Sequence, residues 1–337
     1  MHIEARIIDV LFKQPLSIAG RTLTSQPVLC VVARYRGHIA FAEAAGVFYR
    51  GDTGARLLGD AQTAISLLPD DLLGAWGAVQ SLAPGGARNA LDWALWQLVA
   101  AQRGLPAYRL AFLHRVRPLP TMVTLGLASA AAMAEAALLH PSAKTLKLKL
   151  EGCEADADRV AAVRRERPDV RLAIDANEGW SLEHLDRMMG VLLTHRVELI
   201  EQPLPAAKDG ALKDFRSPIP LVADESLQTL DDLDRVASCY QVANIKLDKC
   251  GGLSAALTLA KEARRRGLRV MIGCMGGRSA AILPAFIAAQ GADLVDLDAP
   301  LFMADVGTPT ARYADGCVGF DAAAFMLSGA DAARGSP

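Results

Sequence analysis

The chain lacks most of the features that would place it in the commonest alternative classes. Its six cysteines, Cys30, Cys153, Cys239, Cys250, Cys274 and Cys317, include no Cys-x-x-Cys pair. Neither a disulfide framework nor a zinc site is expected; free thiols in a reducing compartment are. The histidines, His2, His38, His114, His140, His184 and His195, show no metal-ligand spacing. Neither sign of charge dominates: 36 Lys and Arg against 37 Asp and Glu leave a net charge of −1, so no basic excess is available for nucleic acid or an anionic membrane surface. Long apolar runs are missing as well. Ala280 to Ala289 is too short to span a bilayer and contains Pro284. The opening residues, Met-His-Ile-Glu-Ala-Arg, do not have the basic-then-apolar order of a signal peptide, and a soluble, cytoplasmic protein is the expectation. No Gly-rich phosphate loop follows an early strand, which argues against a dinucleotide-binding open sheet.

What remains is 337 residues, 52% hydrophobic and 22% charged, enough apolar material for one large or two modest domains. Residues 1–115 read as a small α+β domain. The run from Ile3 to about Glu43 is strand-like, with a hairpin signal where Val28–Ala33 and His38–Glu43 flank a short polar turn. Residues 55–104 read as helices, with Ala90, Leu91, Ala94, Leu95 and Leu98 at helical spacing before Gly104 and Pro106. From about residue 116 to 305, short apolar runs alternate with helical stretches. Polar residues close successive runs at Lys149, Asp175, Glu201, Asp224 and Lys246, at steps of 26, 26, 23 and 22 residues. Each step has room for one strand, one helix and two loops. Counting from Met122–Leu127, with further runs ending near Gly273 and Asp298, the series contains eight strands, the number a closed β/α barrel needs.

In such barrels chemistry sits at the C-terminal strand ends. Asp175, Glu201 and Asp224 end three consecutive strands and can converge on one point. Three converging carboxylates repel one another unless a cation lies between them, and hard oxygen ligands suit Mg2+. Lys149 and Lys246 flank the trio. Alternation places Lys147 beside Lys149 on one face, and Asp248 beside Lys246 on another. Burial lowers an ammonium's pKa towards neutrality, so Lys149 and Lys246 are candidate general bases. Lys147 taken alone reads as solvent-facing. A metal holding a substrate carboxylate, with a lysine on either side, suits a two-base 1,1-proton transfer through an enediolate, which inverts a stereocentre.

The runs Leu146-Lys147-Leu148-Lys149, Asp175-Ala176-Asn177-Glu178, Glu201-Gln202-Pro203-Leu204, Ala223-Asp224-Glu225-Ser226 and Asn244-Ile245-Lys246-Leu247-Asp248-Lys249, with Ala87-Arg88-Asn89-Ala90-Leu91-Asp92 earlier, resemble the enolase superfamily. Within it they resemble the muconate-lactonizing-like subgroup and its dipeptide epimerases, typified by L-Ala-D/L-Glu epimerase. The resemblance implies a (β/α)7β TIM-like barrel under an α+β capping domain, with residues 306–337 returning to the cap. It implies Lys149 and Lys246 as the acid/base pair and Asp175, Glu201 and Asp224 as Mg2+ ligands. It implies a small-molecule partner, a dipeptide. Asp296 and Asp298 look like the motif that binds the substrate's α-ammonium; Arg21, Thr124 and Lys147 are carried as substrate contacts, and Asp248 as a supporting residue. The sequence sets no oligomeric state. Two departures bear on the substrate: Gly276-Gly277-Arg278 stands where many relatives have an acidic residue, with Arg278 open to an anionic substrate or to solvent, and Ala42-Glu43 replaces Gly-Glu. Alternative readings are an N-acylamino acid racemase, an o-succinylbenzoate synthase or a muconate cycloisomerase on the same barrel, or a non-catalytic binding protein, since fold does not fix function.

Overall fold

The computed structural model describes residues 1–18 and 21–327, with residues 16–18 and 21 as backbone only. The chain opens with β1 (His2–Ile18), β2 (Arg21–Tyr35) and β3 (His38–Ala45), an antiparallel sheet in that order. Tyr35 and His38 pair across Arg36-Gly37, whose φ values of 45° and 81° give the tight turn that strand twist favours. The hairpin read from the sequence is therefore present, and a third long strand pairs along β2. Three helices follow, α1 (Gly54–Leu67), α2 (Leu72–Val79) and α3 (Gly86–Gln102). Thr53 and Asp71 cap the first two, each accepting a hydrogen bond from a backbone N–H in the first turn. In α3 every residue from Asn89 to Ala100 is buried, because β2 and β3 cover one side and barrel helices the other.

After the two-residue β4 (Leu119–Pro120), the barrel strands are β5 (Met122–Leu125), β6 (Thr145–Lys149), β7 (Arg171–Asp175), β8 (Val197–Glu201), β9 (Leu221–Ala223), β10 (Val242–Lys246), β11 (Arg269–Gly273) and β12 (Leu294–Asp296). They form one parallel eight-stranded sheet in sequence order. The ring closes between β12 and β5 through side chains: the Thr121 hydroxyl accepts from Leu297 N at 3.0 Å, and Asp298 Oδ2 accepts from Thr124 N at 2.7 Å. The connecting helices are α4 (Ala130–Leu138), α5 (Ala155–Glu166), α6 (Leu182–Thr194), α7 (Leu233–Cys239), the short α8 (Leu247–Cys250), α9 (Leu253–Arg265), α10 (Ser279–Ala289) and the short α11 (Ala299–Phe302). One expected helix is different. The β8–β9 crossover uses a 3-10 segment, Ala206–Lys213, in place of an α-helix. The architecture is a (β/α)7β TIM-like barrel with an α+β cap.

Met122, Ala173, Leu199, Val222, Val242, Met271 and Leu294 pack together as an apolar layer inside the ring. These residues are one per strand from seven strands, so the barrel is plugged and its polar groups lie above the plug. After the barrel, β13 (Arg312–Ala314) and β14 (Cys317–Gly319) pair with β4, and Phe325 stacks edge-on against Tyr108 at 5.5 Å. No described helix is long and apolar enough to cross a membrane.

Candidate active site

Strand alternation builds the site from the plug upward. Two residues beyond Ala173, Leu199, Val222 and Leu294 stand Asp175, Glu201, Asp224 and Asp296, so each acid points into the ring above its apolar partner. Register sets them at one level. Lys149 pairs with Asp175 and Asp175 with Glu201; across the ring, Lys246 pairs with Gly273 and Gly273 with Asp296. Asp224 lies one residue past β9.

Carboxylate oxygens of Asp175, Glu201 and Asp224 lie within 4.8 Å of one another, and all three residues are buried. Lys149 Nζ donates to Asp175 Oδ2 at 2.6 Å, and Lys246 Nζ to Asp224 Oδ2 at 2.6 Å. Lys147 is not solvent-facing. It is buried beneath the trio, 3.6 Å from Asp175 and 3.5 Å from Glu201, and it donates a short hydrogen bond to Asp296. The pleat that turns Lys149 inward turns Lys147 inward too, one layer deeper.

These contacts set the electrostatics. Burial and then the Asp175 charge push Glu201 up to about 7. Burial works against the Asp224 charge, but Lys246 and Lys249 outweigh it and hold that carboxyl below its ordinary range. Burial likewise disfavours the Lys246 ammonium; here Asp224 and Glu201 overcome it and hold the group well above its ordinary value. The expectation that burial brings Lys246 towards neutrality is therefore not met in this arrangement, because the carboxylates outweigh the desolvation. The donor set fits a hard divalent cation: three buried carboxylates converge, and lysines supply the only countercharge among the described residues.

A cavity of about 170 Å³ lies over these groups, lined from the barrel by Thr124, Lys147, Lys149, Asp224, Lys246, Asp296 and Asp298, and from the cap by Phe12, Leu23, Phe48 and Tyr49. Asp296 Oδ1 is buried without a hydrogen-bond partner. Burial and then the Asp296 charge push Asp298 up to about 6. Thr124 faces the cavity, and its backbone N–H holds Asp298. The side chain of Arg21 lies outside the described residues.

Two further expectations need correction. Asp248 does not share the inward face with Lys246, because the strand ends at Lys246 and the chain turns into α8. Asp248 instead faces the cap, accepting from Asn89 Nδ2 at 2.9 Å and Ala45 N at 3.1 Å. Arg278 does not line the cavity and is neither aimed at substrate nor left free in solvent, being half-buried in ion pairs. It binds Glu43 of β3 and, at 2.7 Å, Asp305. The glycines before it allow a close approach to the cap. Gly276 has φ 147°, and a Cβ there would come within 2.0 Å of the Gln26 side chain.

Sequence reasoning assigned no role to Lys249, Asn244 or Tyr49. Lys249 Nζ donates to Asp224 Oδ1 at 2.6 Å, and Asn244 Nδ2 donates to Glu201 Oε1 at 2.8 Å. Asn244 was reachable, since it stands two residues before Lys246 on the same face; Lys249 lies on a helical turn, where strand alternation has no reach.

Comparison with known proteins places these features in context. Residues 127–323 match the family model described as enolase C-terminal domain-like. An N-acetyl-D-glutamate racemase from Pseudoalteromonas sp is 41% identical over 238 residues, 71% of this chain and 75% of that protein. The L-Ala-D/L-Glu epimerase of Escherichia coli K12 is 39% identical over 241 residues, again 71% and 75%. Among solved structures, a dipeptide epimerase from Enterococcus faecalis V583, complexed with Mg and L-Leu-L-Tyr, superposes with a TM-score of 0.88 at 26% identity, covering 97% of this chain and 99% of that one.

Proposed function

The chain belongs to the enolase C-terminal domain-like family, and from that premise we propose that it is a Mg2+-dependent isomerase that epimerises the C-terminal residue of a dipeptide. One arrangement carries the reading. Lys149 on β6 and Lys246 on β10 stand four strands apart in an eight-stranded ring, hence on opposite walls, with the three carboxylates between them. Asp175, Glu201 and Asp224 would hold the cation. When bound, it offers positive charge to the substrate carboxylate, the group that gains charge as the α-proton leaves.

The lysines do the proton chemistry. One, neutral once the cation those carboxylates would hold offsets the charge that keeps it protonated, takes the α-proton from one face; the other, as an ammonium, returns a proton to the opposite face of the planar enediolate. The reverse assignment serves the other stereoisomer. Lys147, held by Asp296, Asp175 and Glu201, keeps the charge of this acidic layer partly compensated. The plug below and the cap above limit water around the reacting carbon.

The dipeptide part of the proposal is supported by Asp296 and Asp298. A buried carboxylate oxygen without a donor costs free energy, and a substrate ammonium supplies charged donors there. Thr124 and Arg21 are read as further substrate contacts, and Asp248 as a support of the cap–barrel junction. The division into residues 1–115, 116–305 and a returning 306–337 belongs to the same reading. A second reading, racemisation of an N-acylamino acid, is favoured by the 41% identical racemase. It stands second because an acyl group leaves Asp296 Oδ1 without its donor. The test is a dipeptide library incubated with enzyme and Mg2+ in D2O and read by mass spectrometry. One deuterium in the C-terminal residue, appearing in both isomers and suppressed by EDTA, is the expected result; no exchange in any dipeptide would refute the assignment.

A further inference from the structure

Tyr49 sits in the short 3-10 turn Phe48–Arg50 that drops from the cap into the cavity. Its hydroxyl oxygen accepts one hydrogen bond, from Gln228 Nε2 at 3.1 Å. Gln228 is itself held in place: its Nε2 also donates to Glu225 O at 2.9 Å, its Oε1 accepts from Arg50, and its backbone N–H donates to Asp232. A phenol has one proton to donate and lone pairs to accept with. Gln228 occupies the accepting side, so the O–H is turned away from it. Among the described residues no group accepts that proton. The Phe48 ring packs edge-on at 5.3 Å and limits swinging of the ring. Gln228 lies in the crossover from β9 to β10, so its hydrogen bond sets the hydroxyl over the β9–β10 side of the site. Burial keeps the phenol protonated, and the Asp224 charge adds to this.

A pre-aimed, protonated donor without an acceptor, enclosed in a substrate cavity, is a binding group awaiting its partner. We propose that Tyr49 is a further catalytic residue whose hydroxyl donates to a carboxylate oxygen of the residue being epimerised. This rests on the proposed function, which puts the α-carbon between Lys149 and Lys246 and the α-carboxylate against the trio. Under that placement the ammonium end lies at Asp296 and Asp298 on the β12 side, away from Tyr49. The substrate group facing the β9–β10 side is then the carboxylate, and it alone gains negative charge during the reaction. The hydrogen bond therefore strengthens as the α-proton leaves and lowers the barrier.

The test compares unmodified enzyme with Tyr49→Phe, which removes one oxygen. Deuterium exchange at the α-carbon is followed for L-Ala-L-Glu and L-Ala-L-Leu, with the α-deuterium isotope effect and melting temperature measured alongside. The expected result is a loss of about 10- to 100-fold in kcat/KM, similar for both dipeptides and carried mainly by kcat. The isotope effect should rise as proton abstraction slows, and the melting temperature should stay within a few degrees. Unchanged rates would overturn the proposal. A loss confined to L-Ala-L-Glu would also overturn it, since the partner would then be the side-chain carboxylate. Absence of exchange by the unmodified enzyme on every dipeptide would overturn the proposed function and this inference together; equal rates in the two proteins would overturn this inference alone.

Discussion

The acidic pair at the end of β12 gives the sharpest prediction, because N-acetylglutamate is glycylglutamate with the ammonium replaced by hydrogen. The two molecules share the reacting carbon, the α-carboxylate, the amide and the side chain. Asp296 Oδ2 is engaged by Lys147 and Asp298 Oδ2 by Thr124 N, while Asp296 Oδ1 is buried and unpaired. Glycylglutamate brings an ammonium to that oxygen; N-acetylglutamate brings a methyl group and leaves a buried carboxylate uncompensated. Such a loss costs about 2–5 kcal/mol, or about 30- to 4,000-fold in kcat/KM. The ratio should depend on pH with a definite sign. Burial and Asp296 push Asp298 up to about 6, and an ammonium binds best to its ionised form. As pH falls through 6, KM for glycylglutamate should rise, KM for N-acetylglutamate should not, and the preference should narrow. Asp298→Asn should narrow it at every pH. Coupled polarimetry or chiral chromatography on both substrates between pH 5 and 8 measures this. Equal or faster turnover of N-acetylglutamate at pH 8 would refute the reasoning and favour the acylamino acid reading.

Three further outcomes are expected. Glu201→Gln should keep its melting temperature without metal, because a carboxyl pushed up to about 7 is near half-protonated already, yet calorimetry should show Mg2+ binding and turnover lost; tight Mg2+ binding in the variant would remove Glu201 from the ligand set. Lys149→Ala and Lys246→Ala should each abolish epimerisation while exchanging the α-proton of one stereoisomer only, read by proton NMR in D2O; substantial epimerisation by either would contradict two opposed bases. Asp248 is pushed by burial up to about 6 from 3.8, so its ionisation imposes a destabilising penalty that is full above pH 6 and vanishes as pH falls below about 4. Asp248→Asn should thus be more stable than the parent by up to about 3 kcal/mol at pH 8, with the gap closing towards pH 4; a pH-independent difference in urea denaturation would show that Asp248 is ionised without penalty.

The sequence by itself determined the layers. A spacing of 22 to 26 residues between polar strand ends specified the repeated βα unit, and inward–outward alternation specified that Lys149, Asp175, Glu201 and Lys246 project from one level. Both signals are local, since each strand's pattern is complete within about five residues. The same alternation misplaced Asp248, because it assumes the strand continues, and here a helical turn begins at Leu247. Tertiary structure alone decided what meets across the ring and across the cap. Lys147 became a buried bridge because barrel closure brings Asp296, 149 residues away, into contact with it. Arg278 became a tether because Glu43 lies 235 residues back on the cap sheet. Tyr49 and Gln228, separated by 179 residues, meet only when the cap covers the barrel mouth. The reason is physical: a pleat fixes the direction of a side chain relative to its own strand, whereas its partner is set by closure of the barrel and docking of the cap, and neither leaves a periodic mark in the chain.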